Sequence, residues 1–150
     1  MLFFRALFAF LALPAVVGGL LPWLLLGNDG WRTRGTALGW PVVLFGACVL
    51  LGCVRDFYAI GKGTLAPWDP PKKLVVAGFY RFVRNPMYVG VLAWLAGWSL
   101  VTGRRRLAVY TGIVALAFHL RVVLYEEPAL AREFKNEWTQ YRRSVNRWLP

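Results

Sequence analysis

Three stretches of the chain, residues 6–26, 35–54 and 85–103, each run for 19 to 21 residues without a charged side chain. About 20 predominantly apolar residues suffice to cross the hydrocarbon core of a bilayer as a helix, so each stretch is long enough to span. A fourth stretch, 107–125, has the length but carries His119 and Arg121 in its second half. A charged group at mid-membrane costs about 2.5–3.5 kcal/mol on insertion scales, so such residues face a polar cavity or a partner. The pattern predicts an all-α integral membrane protein with about four transmembrane helices. The hydrophobic share of 58% supports this, since soluble domains hold roughly 45–50%. The first stretch exceeds the roughly 7–15-residue core of a signal peptide and reads as a retained helix. With no linker between the apolar stretches, residues 1–150 read as a single domain, with two transmembrane helices in 1–60 and the remaining elements in 61–150.

Eighteen basic and seven acidic residues give a net charge of +11. The basic residues fall between apolar spans, where they meet anionic lipid headgroups, and no nucleic-acid-binding motif accompanies them; the expected surroundings are membrane lipids, with no nucleic acid. With the N-terminus in the cytoplasm, that side holds twelve basic residues (Arg5, six in the loop after the second span, five in the tail) against five on the other. The positive-inside bias therefore places both termini in the cytoplasm, as in a bacterial inner membrane. The short connection around 103–106 makes the last two spans an antiparallel hairpin. Ala93 with Gly97, and Ala108 with Gly112, are small-residue pairs that let helices approach closely in lipid. Beyond Tyr125 the pattern becomes that of an amphipathic tail helix, 128–144, in which Leu130, Phe134, Trp138 and Tyr141 share one face suited to the membrane interface. Cys48 and Cys53, five apart, fit neither a zinc site nor a redox pair.

Two constellations carry polar chemistry. In the first, residues 78–90, Asn85 reads as an N-cap with Pro86 at the first helical position. Free N–H groups at that helix start, together with Arg81 and Arg84, favour an anionic ligand group. The same arginines also suit headgroup anchors, and Tyr88 an interfacial aromatic. In the second constellation, residues 119–128, His119 and Glu126 are two helical turns apart and share a face, while Glu127 turns away by about 100°. The glutamates also suit an acidic first turn of the tail helix. Under the expected topology both constellations meet at one cytoplasmic rim, a setting for a ligand that carries a carboxylate, an amino group and a sulfonium. No Gly-rich dinucleotide fingerprint, P-loop, Ser–His–Asp arrangement or cluster of metal ligands is present in the sequence.

At these residues the chain resembles the isoprenylcysteine carboxyl methyltransferase and phospholipid methyltransferase superfamily. The family stretch G-x-Y-R-x-x-R-[HN]-P-x-Y-x-G is complete from Gly78 to Gly90, Glu126 and Glu127 supply the glutamate pair, and the tail carries Phe134, Trp138, Tyr141, Val145, Arg147, Trp148 and Pro150 at the family's spacing. Asn85 replaces the histidine of the prenylcysteine enzymes, Lys135 stands where a glycine is usual, Trp138 replaces a tyrosine and Asn146 a proline. The loop 63–71 resembles a bacterial branch of the family, and its three prolines make it a stiff candidate lid or wall.

The resemblance implies S-adenosylmethionine-dependent methyl transfer to a lipophilic substrate entering from the bilayer, with the cofactor site built by the hairpin and tail. Cofactor-binding positions implied are Tyr80, Arg84, Asn85, Pro86, Tyr88, Gly90, Glu126 and Glu127. Arg81 or Arg121 would orient an anionic substrate group, and Glu126 or His119 would assist an amine nucleophile. Sterol reductases carry a similar arginine-histidine and tyrosine stretch, which keeps an NADPH-dependent membrane reductase open as an alternative; a third reading is a non-catalytic membrane anchor or interaction protein.

Overall fold

A computed structural model of the chain describes residues 11–27, 35–56, 59 and 74–150. Part of the first expected span, the loop 63–71 and the basic residues Arg5, Arg32, Arg34, Lys62, Lys72 and Lys73 lie outside the described residues.

The described residues are helical, and the only backbone pairing of β type among them is an isolated parallel bridge between Val83 and Asn146. A π-helical stretch, Leu11–Leu20, runs into α1, Leu21–Leu26. Then come α2 (Gly39–Asp56), a 3-10 turn (Gly78–Arg81), α3 (Pro86–Thr102) and α4 (Arg105–Arg121). A π-helical turn, Val122–Glu126, joins α4 to α5, Glu127–Ser144. Two helical stretches, Gly39–Asp56 and the continuous Arg105–Ser144, are long and apolar enough to cross a membrane; Ala15–Leu26 and Pro86–Thr102 are shorter apolar helices. At 1.5 Å per residue the 17 residues of α3 reach about 25 Å, just short of a hydrocarbon core of about 30 Å.

Four sequence expectations change in detail. The second apolar stretch turns helical at Gly39 rather than at 35, because the turn before it is spent on hydrogen bonds to the end of α3: Gly35 N–H to Val101 O at 3.0 Å and Thr36 N–H to Leu100 O at 2.9 Å. The close approach expected from the small-residue pairs of the last two spans occurs instead between α2 and α3. A Cβ added to Gly46 would lie 2.7 Å from Gly90 O and 2.5 Å from Trp94 N, and one on Gly97 2.6 Å from Val43 N, whereas Gly112 has nothing within 4 Å. In lipid, where apolar burial gains little, this backbone proximity is what holds two helices together. The tail helix does not start afresh after Tyr125 but continues α4 through the π-helical turn. Its break lies at Lys135, whose φ of 41° and ψ of −109° are non-helical. Finally, of the four residues on the apolar face of the tail, Trp138 and Tyr141 are buried against the protein itself, while Leu130 and Phe134 are half-buried.

Two clusters organise the packing. Val49 and Cys53 of α2 meet Val75 and Tyr80, with Phe79 and Met87 alongside. Val91 and Leu95 of α3 meet Leu107 and Val114 of α4, flanked by Trp94, Trp98 and Phe118. The first helix is tied to these by two side-chain bonds to its carbonyls, from Trp94 Nε1 to Gly18 O and from Tyr110 Oη to Val17 O, both 2.9 Å. Cys53 is thus a packing residue and Cys48 an exposed one.

Candidate functional site

Three local devices bring the polar residues together. The first is the 3-10 turn before α3. Gly78 has a φ of 56°, and a Cβ there would lie 1.8 Å from Asp56 Oδ2, so only glycine lets the chain turn so close to the end of α2. Two residues on, Tyr80 is buried and its carbonyl accepts a hydrogen bond from Tyr141 Oη at 2.7 Å, which pins α5 over the turn. The second device is the chain terminus. Residues 145–148 run beside 83–85, with Arg84 N–H donating to Asn146 O at 2.9 Å and Asn85 Nδ2 to Arg147 O at 3.2 Å. Asn85 does occupy the position before α3, and Pro86 opens the helix, but its side chain makes no cap; it holds the tail instead.

The third device is the π-helical turn. In a regular α-helix residues five apart point about 140° away from one another. A turn bonded i to i+5 takes more residues, so it brings Arg121 and Glu126 to the same side, with Arg121 Nε 2.7 Å from Glu126 Oε1. The shared face expected for His119 and Glu126 is lost for the same reason: Glu126 pairs with Arg121 and Tyr88, and His119 Nδ1 accepts from Trp148 Nε1 at 3.3 Å.

The result is two carboxylate nodes side by side. At the inner node Glu127, only 8% exposed, receives a bidentate pair from Arg147: Nε to Oε1 and Nη2 to Oε2, both 2.9 Å. Arg84 Nη2 adds a third contact to Oε1 at 3.2 Å, and the Arg84 guanidinium lies over the Trp138 ring, 5.5 Å from its centroid. Burial alone would raise the Glu127 carboxyl, but the Arg147 hydrogen bonds and the Arg84 charge outweigh it and hold the group below the usual carboxylate range. Burial lowers Arg84, while the Glu127 bonds raise Arg147. Desolvation pushes the Tyr141 hydroxyl up to about 12, so it stays a proton donor.

Arg84 is the unusual member. Its side chain is 8% exposed, yet Nε and Nη1 are buried with no hydrogen-bond partner among the described residues. Leaving a buried donor unpaired costs about 1–3 kcal/mol, more for a charged group, and native structures do so where something else completes the bond. Arg84 also lines a cavity of about 60 Å³, with Tyr80, Asn85, Glu126, Glu127 and Trp138 among the other lining residues. That space is large enough to admit a carboxylate-sized group.

At the outer node Tyr88 Oη donates to Glu126 Oε1, which also accepts from Arg121 Nε; Arg121 Nε in turn lies 3.2 Å from Tyr88 Oη. Both bonds to Glu126 end on Oε1, and none among the described residues uses Oε2. Arg121 and Glu126 are 39% and 26% exposed in their side chains, so this node is half open. Aromatic rings wall it: Phe118 stands 4.4 Å and Trp148 6.5 Å from the Tyr88 ring, centroid to centroid.

Of the sequence-predicted residues, Tyr80, Arg84, Asn85, Glu126 and Glu127 share the cavity, Tyr88 and Arg121 join through Glu126, and His119 reaches the group through Trp148. Pro86 is buried at the start of α3. Gly90 is not at the cavity: a Cβ there would meet Leu50, Val49 and Gly46 of α2. Arg81 is exposed on the turn. Arg147, Trp148 and Trp138 also belong to the site, although the sequence alone does not single them out. Its only pointer to them was their recurrence in the tail motif, because their partners lie 20 to 62 residues away along the chain.

A family model described as Phospholipid methyltransferase matches residues 36–137. Among curated proteins the chain is similar to protein-S-isoprenylcysteine O-methyltransferase of Schizosaccharomyces pombe, 31% identical over 77 residues, covering 51% of this chain and 33% of that one. It is 30% identical over 83 residues to a probable protein-S-isoprenylcysteine O-methyltransferase of Oryza sativa subsp. indica, covering 55% and 44%. Protein-S-isoprenylcysteine O-methyltransferase A of Arabidopsis thaliana is 32% identical over 77 residues, covering 51% and 39%. The alignments thus span less than half the length of each relative. No solved structure gives a significant match.

Proposed function

The chain belongs to the phospholipid methyltransferase family, and from that premise we propose that it transfers a methyl group from S-adenosylmethionine to a lipophilic substrate lying in the bilayer. The observation that carries the cofactor reading is Arg84, which lines a small cavity and whose buried Nε and Nη1 have no hydrogen-bond partner among the described residues. At the Glu127 node beside it two guanidiniums meet one carboxylate, and Glu126, which also lines the cavity, is paired with Arg121, so a net positive charge remains that suits a carboxylate. When bound, the cofactor supplies an electrophilic methyl on a sulfonium.

The residues then divide the work. Arg84 binds the anionic end of the cofactor, with Trp138 stacked beneath the guanidinium to fix its plane. Tyr88, Phe118 and Trp148 exclude water from the space beyond, which favours an in-line displacement by holding the reacting atoms aligned. Glu126 Oε2, which has no hydrogen bond among the described residues, would accept from an amino group, while Arg121 is the cation that would meet a substrate carboxylate. A carboxylate nucleophile needs no base. An amine does, and Glu126 is better placed for that than His119, whose Nδ1 already accepts from Trp148. The substrate would reach this rim from the bilayer between four spans: the first helix, α2, and an antiparallel hairpin of α3 and α4, with the site and both termini on the cytoplasmic side. The relatives' names point to an isoprenylcysteine carboxylate, and the family description to a phospholipid.

The test is transfer of labelled methyl from S-adenosylmethionine, by protein in detergent–lipid micelles, to a prenylated cysteine and to an amine-headgroup phospholipid. Base-labile label marks a methyl ester and base-stable label an N-methyl product. Failure to label either substrate, or membrane-extracted lipid, by folded protein refutes the proposal.

A further inference from the structure

The inner node contains one more cation than its carboxylate needs, and the two arginines are not equivalent. Arg147 occupies both oxygens of Glu127 through a fork of two 2.9 Å bonds, whereas Arg84 makes an ion pair from Nη2 to Oε1 at 3.2 Å, with no hydrogen bond from its Nε or Nη1 among the described residues. A guanidinium beside an unshared carboxylate would take both oxygens itself, since the bidentate geometry is the stronger one. Arg84 is kept from doing so because Arg147 is there first. Two hydrogen bonds to the tail backbone fix that occupancy: Asn85 Nδ2 donates to Arg147 O, and Arg84 N–H to Asn146 O, so the tail delivers the Arg147 side chain at a set distance from Glu127.

We propose that Arg147 is a positioning residue: by filling both oxygens of Glu127 it prevents Arg84 from folding onto that carboxylate and leaves Nε and Nη1 of Arg84 for the anionic group of the ligand. Glu127 is then a spacer between two arginines, and its oxygens touch no ligand. This inference rests on the cofactor reading of the Arg84 cavity given above and adds the residue that arms it.

A charge count provides the test. The node is +1 in the wild type, 0 in Arg147→Met and +1 again in Arg147→Met with Glu127→Gln. Binding of S-adenosylhomocysteine to the full chain in detergent is measured by calorimetry, with thermal unfolding of each variant as a check on folding. Arg147→Met lets Arg84 collapse onto Glu127 and weakens binding about tenfold or more, the loss of a charge-assisted contact. The double variant removes the competing carboxylate and returns affinity to within about threefold of wild type, a rescue that a purely structural role for Arg147 does not produce. Arg147→Lys, which keeps the charge but not the fork, falls between; with the double variant it carries the test if Arg147→Met does not fold. Wild-type affinity retained in Arg147→Met, or equal loss in the single and double variants, overturns the inference while leaving the cofactor reading standing. No binding by folded wild-type protein overturns both.

Discussion

Replacing Lys135 with glycine should make the protein more stable, although it removes a side chain from the middle of a helix. Lys135 is the one described non-glycine residue with positive φ, 41°, and its ψ of −109° lies outside even the left-handed helical region. A Cβ in such a conformation costs about 1–2 kcal/mol, toward the upper end here. Glycine at a helical position costs about 0.5–1 kcal/mol through chain entropy. The difference is a gain of about 1 kcal/mol, which for a chain of this size is a rise in Tm of about 2–4 °C. Lys135 is exposed, so little packing is lost. The assay is thermal unfolding in detergent followed by tryptophan fluorescence, with Lys135→Ala as the control. Alanine removes the same charge and stem but keeps the Cβ, and should bring no gain. A rise in Lys135→Ala equal to that in Lys135→Gly would trace the effect to charge, and a fall in Lys135→Gly would show that the backbone there is not strained.

Three other outcomes follow from the packing and charges. The Glu127 carboxyl sits below its unfolded value, so its stabilisation is fully present above about pH 4.3 and is lost as pH falls through the lower folded value; Glu127→Gln should flatten the acid side of a Tm–pH profile and lower Tm near neutrality. Gly46→Val places atoms against the backbone of α3 and should cost at least about 1–3 kcal/mol of thermal stability, while Gly112→Ala, facing open space, should be neutral or stabilising in the same melts. Tyr141→Phe removes the hydroxyl that caps the buried Tyr80 carbonyl and should cost about 1–3 kcal/mol, read as a lower Tm in the same assay.

Much of this was legible in the sequence because it is local. Charge-free runs mark apolar helices, Pro86 marks the start of α3, and the spacing of Leu130, Phe134, Trp138 and Tyr141 marks one face of α5. The glutamates and Arg84 stood out as charges beside apolar runs. What escaped depends on contacts between distant segments or on small departures from regular helix. The π-helical turn at Val122–Glu126 shifts the register by about one residue, which moves Glu126 from His119 to Arg121, and no residue there announces it. Gly97 and Gly112 look alike in sequence, yet only Gly97 faces another helix, because the choice of partner lies in tertiary packing. Lys135 is a further case: a lysine gives no local sign of the break found there. Arg147 reads as one more basic tail residue until the chain end is seen beside 83–85.

The central claim is that Arg84 and the nodes around it hold S-adenosylmethionine. It is tested most directly by calorimetric titration of S-adenosylhomocysteine into detergent-purified wild type and Arg84→Met, with NADPH as the comparison ligand. The account predicts saturable binding of S-adenosylhomocysteine to the wild type, weakened about tenfold or more in a folded Arg84→Met variant, and no response to NADPH. Binding of NADPH alone, or equal affinity of S-adenosylhomocysteine for both proteins, would contradict it.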